Sequence, residues 1–217
     1  YIAFDMDGTL YDCSGAIEEA YARAANFLSK ESGKEVPPPT IEMIRSVLGN
    51  TMDNFFTPLF PSMGREWLKR IDEVCTRELM INVRAGKGEL YPGVHDTFEK
   101  LKNSGWGILI ASNGQREYLD AILETYDLGR FIAHEPVTVN YTSIKSKGDI
   151  LAEYIRLFNM NKRLVMVGDR KSDMVAAREN VAYFIGCAFG HAGDDEISGA
   201  DAIVHNMKEI ESALPNE

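Results

Sequence analysis

Cysteine and histidine are scarce in this 217-residue chain, which carries three of the former and four of the latter. Cys13, Cys75 and Cys187 are odd in number, far apart and in no metal-ligand spacing, so the sequence predicts reduced thiols rather than a disulfide framework. His95, His134, His191 and His205 are equally scattered, which leaves no histidine-based metal pattern and no candidate catalytic histidine. Positive charge is also in deficit: 23 Lys and Arg against 33 Asp and Glu give a formal net charge of −10. That balance argues against binding nucleic acid or an anionic membrane, and any phosphate ligand has to meet locally arranged donors and metal. No apolar run is long enough to span a bilayer and no basic-then-apolar leader opens the sequence, so the expected compartment is the cytosol. Internal repeats and low-complexity segments are absent as well. What is present is the composition of a globular protein, 45% hydrophobic, enough to fill one large domain or a core with a smaller insert.

The most informative stretch is Tyr1-Ile2-Ala3-Phe4-Asp5-Met6-Asp7-Gly8-Thr9-Leu10, where two carboxylates stand two residues apart after an apolar strand. Alternate strand side chains share a face, so Asp5 and Asp7 can converge where the strand breaks at Gly8. A carboxylate can attack phosphorus, and a second beside it can donate a proton. Alone, the string also reads as an Asp-rich turn. That reading weakens because a second acidic group, in Val165-Met166-Val167-Gly168-Asp169-Arg170-Lys171-Ser172-Asp173, likewise follows a β-branched run and opens a helical segment. Carboxylates at two strand ends suggest one metal.

Asp5-Met6-Asp7-Gly8-Thr9, Ser112 in Ile110-Ala111-Ser112-Asn113, Lys147, and Gly168-Asp169 with Asp173 resemble the four motifs of the haloacid dehalogenase-like superfamily. Their order and spacing are similar to the branch with a small helical cap after the first motif, that of the phosphoglycolate phosphatases and related small-molecule phosphatases. The resemblance implies an α/β fold: a Rossmann-like parallel sheet core with an inserted helical cap. The residues divide accordingly. Apolar positions Ile17, Ala20, Tyr21, Ala24, Phe27 and Leu28 recur at helical spacing, with Ser14 as candidate cap and Gly33 as stop. Pro37-Pro38-Pro39 makes a stiff link. Helical pattern resumes over Ile41 to Val47 and Trp67 to Met80, separated by a stretch from Gly49 to Gly64 carrying Pro58 and Pro61. Residues 13–86 therefore read as the cap, and 1–12 with 87–217 as the core. In the core, a helix near His95 to Asn103 alternates with expected strands at Trp106 to Ala111, around Ile132, at Leu164 to Val167, at Ala182 to Ile185 and at Ala202 to Val204. In such sheets the ligand crevice lies at the carboxyl ends of the strands, where Asp5, Ser112 and Asp169 fall.

The resemblance also implies roles. Asp5 is the expected nucleophile, giving an aspartyl-phosphate, and Asp7 the acid that protonates the leaving oxygen and later deprotonates water. Its presence disfavours carbon–halogen cleavage, since the resembling dehalogenases lack this second aspartate. Mg²⁺ is the expected cofactor, a hard cation that prefers oxygen. Its implied ligands are the Asp5 carboxylate, the Asp7 main-chain carbonyl and Asp169, with Asp173 either ligating or orienting water. Ser112 and the Asn113 backbone are the expected phosphate donors. Lys145 and Lys147 compete for the third motif; Lys147 is favoured because the pattern Ile150, Leu151, Tyr154, Ile155 begins soon after it. Thr9 is read as positioning Asp7, Arg170 and Lys171 as solvated, and Gly190-His191-Ala192-Gly193 as a structural loop. The expected partner is a small phosphate monoester, bound by a monomer. Two alternatives stay open. One is a sugar phosphomutase, disfavoured because Gly49-Asn50-Thr51-Met52-Asp53 lacks the arginine of the comparable cap loop. The other is a noncatalytic phosphate-binding protein. Phe55, Phe56, Phe60 and Trp67 are candidates for the substrate pocket or for cap packing.

Overall fold

The structure is a computed structural model that describes residues 1–48, 50, 52–139, 142–160, 164–191 and 193–215, the side chains of 52, 53 and 194 excepted. Five strands form one parallel sheet in the order β4-β1-β5-β6-β7: β1 Ile2–Phe4, β4 Ile108–Ile110, β5 Val165–Gly168, β6 Tyr183–Cys187 and β7 Ala202–Val204. Ile2 pairs with Ile108 on one side and Val165 on the other, and Phe4 with Ile110 and Val167. The strands read as continuous apolar runs because both faces are covered. Ile2, Phe4, Ile110 and Val167 enter one apolar cluster, whereas Ala3, Leu109, Met166 and Phe184 enter the other. The helices α5 Val94–Asn103, α6 Arg116–Thr125, α7 Lys147–Leu157, α8 Lys171–Glu179 and α9 Asp194–Ile197 complete this α/β unit.

A short antiparallel pair, β2 Tyr11–Asp12 against β3 Glu89–Leu90, marks where the chain leaves and re-enters the sheet unit. Between them lie α1 Ser14–Ser32, α2 Ile41–Val47, α3 Met52–Leu59 and α4 Leu68–Arg84. Helix α1 ends at Gly33, whose φ of 68° is the left-handed conformation that glycine adopts without a Cβ penalty. Helix α4 packs most extensively on α1 and next on α6, so it touches both the helical insert and the sheet unit. Polar bonds register α1 on α4: buried Asn82 donates to the Ala16 carbonyl at 2.7 Å and accepts from Arg23 at 2.8 Å, and Arg23 pairs with Glu78 at 2.9 Å.

Three local expectations are corrected. Ser14 does not cap α1; it is the first helical residue, and its N–H donates to the Asp12 carboxylate at 2.9 Å. The stretch from Gly49 to Gly64 contains a helix, α3, with Pro58 in its last turn. There a missing N–H forfeits one bond near the end, while Phe56 and Leu59 are buried. Ile132 makes a single bridge to Ile108 rather than a strand, confined between a 3₁₀ turn at Gly129–Phe131 and Pro136, which has no N–H to continue a ladder. Of the two readings open for the aromatic residues, packing holds for Phe60, which is buried in the apolar core, and for Trp67, which is partly buried against it. All three cysteines are free and buried, and among the described residues no helix is long and apolar enough to cross a membrane.

Because Asn82 is buried and doubly bonded, Asn82→Ala should lower stability by about 1–3 kcal/mol, seen as a lower urea midpoint at unchanged slope. An unchanged midpoint would show that apolar packing alone registers α1 on α4.

Candidate active site

The parallel register brings Asp5 and Asp169 together. Asp5 follows β1 and its N–H bonds to the Val167 carbonyl at 2.9 Å, while Asp169 follows β5, the neighbouring strand. Ala111 N–H bonds to the Phe4 carbonyl at 2.8 Å, so the next residue, Ser112, emerges at the same sheet edge. Asp173 stands in the first turn of α8, where its Oδ2 accepts from the Arg170 N–H at 2.9 Å. That bond satisfies an orphan donor of the helix and aims Oδ1 elsewhere. Lys147 begins α7 after a capping box made by Ser146 and Asp149. Its Nζ reaches Asp5 Oδ1 at 2.8 Å and also pairs with Asp173 Oδ1. Of the two candidate lysines, Lys147 is buried beside Asp5, whereas Lys145 lies before the helix and is exposed.

Asp5, Asp169, Asp173, Ser112 and Lys147 are all buried, and Asp169 and Asp173 have no exposed surface. One carboxylate oxygen from each of Asp5, Asp169 and Asp173 lies within 4.8 Å of the others. Lys147 pairs with two of these three buried carboxylates, Asp5 and Asp173, which leaves negative charge uncompensated. Burial, reinforced by the Asp5 charge, raises the pKa of Asp169; burial also raises that of Asp173, against the pull of Lys147. Burial works against the Lys147 ammonium, but Asp173 and Asp5 outweigh it and hold its pKa above the ordinary lysine value. An all-oxygen, charge-deficient donor set of this kind fits a hard divalent cation such as Mg²⁺.

Asp169 is held by His191, of the loop expected to be structural, and by Thr9, expected to position Asp7. Its Oδ2 accepts from the His191 N–H at 2.8 Å and its Oδ1 from Thr9 Oγ1 at 3.4 Å. Thr9 therefore serves Asp169 rather than Asp7. Close approach explains two glycines. A Cβ at Gly8, whose φ is 88°, would stand 2.4 Å from Asp169 Oδ2, and one at Gly190 would stand 2.3 Å from Asp169 Cβ. Arg170 is not solvated; it pairs with Glu196 at 2.9 Å and donates to the Arg45 carbonyl of α2, tying α2 to the sheet unit.

Asp7 projects from the turn after β1, where Leu10 and Tyr11 N–H both bond to the Met6 carbonyl at 2.9 Å. Its Oδ1 accepts from Tyr118 of α6 at 2.5 Å. Burial pushes the Asp7 carboxyl up to about 6, opposed by the Tyr118 donor and helped by the Asp5 charge. A pKa near neutrality suits a group that both gives and takes a proton. Ser112 Oγ accepts from the Gly114 N–H at 3.1 Å, which orients the hydroxyl at the start of a loop also carrying Asn113.

These residues open on a cavity of about 100 Å³ whose other wall comes from α1, α3 and α4, including Tyr21, Phe55 and Phe56. Of the stretch 49–53, Gly49, Thr51 and the side chains of Met52 and Asp53 lie outside the described residues. Tyr118 and Asp72 are among the lining residues that no sequence pattern singled out. Tyr118 could be read only as one of the apolar positions of α6. Asp72 of α4 accepts from Gln115 Nε2 at 2.6 Å across 43 residues of sequence, a contact no local pattern signals.

Burial pushes the Asp72 carboxyl up to about 6, against the Gln115 and Thr76 donors. Folded protein therefore holds a proton that the unfolded chain releases, so this group's contribution to stability is greatest below about pH 4 and is lost as pH rises through 6. Asp72→Asn should raise the melting temperature by ~2–4 °C at pH 8 and by less at pH 5, in parallel thermal melts. A lower melting temperature at pH 8 would contradict the burial cost.

A family model described as haloacid dehalogenase-like hydrolase matches residues 1–180. A phosphoglycolate phosphatase of Vibrio parahaemolyticus is 25% identical over 96% of this chain and 93% of its own length. The structure of a predicted phosphoglycolate phosphatase from Haemophilus somnus superposes with a TM-score of 0.83 at 19% identity, covering 97% of this chain and 96% of that one. The structure of CbbY from Rhodobacter sphaeroides in complex with phosphate gives a TM-score of 0.79 at 20% identity, covering 98% and 97%. At these identities the solved structures speak for the fold, and the family model for the lineage: the chain belongs to the haloacid dehalogenase-like hydrolases.

Proposed function

We propose that this protein is a Mg²⁺-dependent phosphatase that hydrolyses a small phosphate monoester through an aspartyl-phosphate, acting as a monomer in the cytosol. The observation that carries the reading is the placement of Lys147 between Asp5 and Asp173 at the edge of a cavity that Asp7 also lines. Its similarity to phosphoglycolate phosphatases along nearly its whole length supports the same chemistry.

In this reading residues 1–12 and 87–217 are the catalytic core and 13–86 the cap. The Asp5, Asp169 and Asp173 carboxylates would hold Mg²⁺, with the Asp7 main-chain carbonyl as the family's further ligand. When bound, the cation neutralises charge on the transferring phosphoryl group. Ser112 Oγ, the Asn113 backbone and Lys147 Nζ bind the phosphate oxygens. A carboxylate oxygen of Asp5 attacks phosphorus in line, the bond from phosphorus to the ester oxygen breaks, and that oxygen takes the proton of Asp7. The now anionic Asp7 removes a proton from water as the water oxygen bonds to phosphorus and the bond from phosphorus to the Asp5 oxygen breaks, releasing inorganic phosphate and restoring the Asp5 carboxylate and protonated Asp7. Tyr118 holds Asp7 in place through both half-reactions. Burial keeps bulk water from competing with these contacts.

Phosphate release from a panel of small monoesters should require Mg²⁺ and stop when EDTA removes it. Asp5→Asn should cost ~10³-fold or more and Asp7→Asn ~10²–10⁴-fold. Lys147→Met should cost a similar factor, while Lys145→Met stays near wild type. Release that persists in Asp5→Asn would exclude this carboxylate as nucleophile, and metal-independent release would exclude the cation.

A further inference from the structure

The wall of the cavity that the helical insert contributes, its far wall from the strand ends, says what the substrate carries beyond its phosphate. Its apolar part comes from Ile17, Tyr21, Phe55, Phe56 and Leu79. Its polar part is Asp72 and Thr76 of α4, and Gln115, which follows the Ser112 loop just before α6, reaches across to Asp72. Among the described residues that line the cavity, Lys147 is the sole cation, and it is committed to Asp5 and Asp173. The far wall thus offers a carboxylate and no Lys or Arg. Asp72 is half-buried and has no ion pair among the described residues; it receives Gln115 Nε2 at 2.6 Å and Thr76 Oγ1 at 3.5 Å, each on a different oxygen. A carboxylate offers about four acceptor sites, so two donors leave capacity for a further one.

A carboxylate in this setting is costly to the fold, since burial penalises its charged form. A leucine or glutamine would fill the same place without that cost. In the cavity that takes the transferring phosphate, an anion on the insert's wall repels a second anion and attracts a donor. We propose, on the basis of the phosphatase reading above, that Asp72 is a specificity-determining residue that selects phosphate monoesters whose far end bears a hydrogen-bond donor, an amine or hydroxyl, on a short carbon chain, and rejects those ending in a carboxylate. Gln115 presents Asp72 to the cavity, and the apolar side chains take the carbon chain. By this rule the chain differs in substrate from its phosphoglycolate phosphatase relatives, because phosphoglycolate ends in a carboxylate.

The test compares esters of matched length: 2-aminoethyl phosphate, 2-hydroxyethyl phosphate, ethyl phosphate and phosphoglycolate, each measured as kcat/KM on wild-type protein and Asp72→Asn. Wild type should prefer 2-aminoethyl phosphate over phosphoglycolate by at least ~10-fold, with ethyl phosphate between, and Asp72→Asn should shrink that ratio ~10-fold. Because the readout is a ratio within one protein, a general loss of activity does not imitate it. Calorimetric titration of the same esters into Asp5→Asn protein reads the preference without turnover. If wild type hydrolyses none of them while the titration keeps the ranking, the phosphatase reading fails and the assignment of Asp72 stands. If phosphoglycolate is best in wild type, or the ratio is the same in Asp72→Asn, the assignment fails.

Discussion

One ammonium among three buried carboxylates is the constraint on which the rest of this structure depends. Isolated charges of this sort are not stable in a protein interior; each needs a partner or loses its charge. Lys147 bridges Asp5 and Asp173, while Asp169 draws on Thr9 and the His191 N–H. Each partner comes from a different part of the chain, so the cluster exists only when β1, β5, α7, α8 and the loop after β6 are all in place. The parallel sheet supplies that agreement. Adjacent parallel strands end at one edge, and a carboxylate placed just after each of two neighbours is delivered to one point without either strand bending.

The glycines follow from the same crowding. Gly8 and Gly190 let two loops close on Asp169 and on each other, at distances no Cβ tolerates. The turn that carries Asp7 is thereby pressed against the cluster, close enough for the Asp5 charge to add to burial in raising the Asp7 carboxyl to about 6. Tyr118 pulls the other way by donating to Asp7. Those opposed influences leave the Asp7 carboxyl well above the ordinary aspartate value.

How far this was legible from sequence depends on the range of the interaction. The strands and most helices announce themselves through local periodicity, and the two acidic groups are each contiguous with an apolar run, so a reader of residues 1–10 and 165–173 finds them. The third motif was ambiguous by spacing, yet the Ser146 and Asp149 capping box holds a local signal: it places Lys147 at the first helical position and Lys145 outside it. Helix α3 was hidden by Pro58, whose cost near a helix end is one hydrogen bond. Tyr118 and Asp72 were not legible at all. Each acts across an interface between segments far apart in sequence, and neither residue type nor spacing encodes which face meets which.

That difference in legibility separates chemistry from selection. The residues around Asp5 hang on the sheet, where register leaves no freedom; those of the far wall hang on α1, α3 and α4. Helix α4 is fixed to α1 by Asn82, Arg23 and Glu78 near one end, and reaches the sheet unit through Asp72 and Gln115 near the other. Arg170 makes a second link, to the Arg45 carbonyl of α2. The bond that presents Asp72 to the cavity is therefore also one that holds the helical insert against the sheet. An insert that moved away would withdraw Asp72 from Gln115, so presentation of the selecting carboxylate and closure of the cavity are one event. A change at position 72 acts on both, which is why its effect on selection has to be read as a ratio between esters and not as a rate.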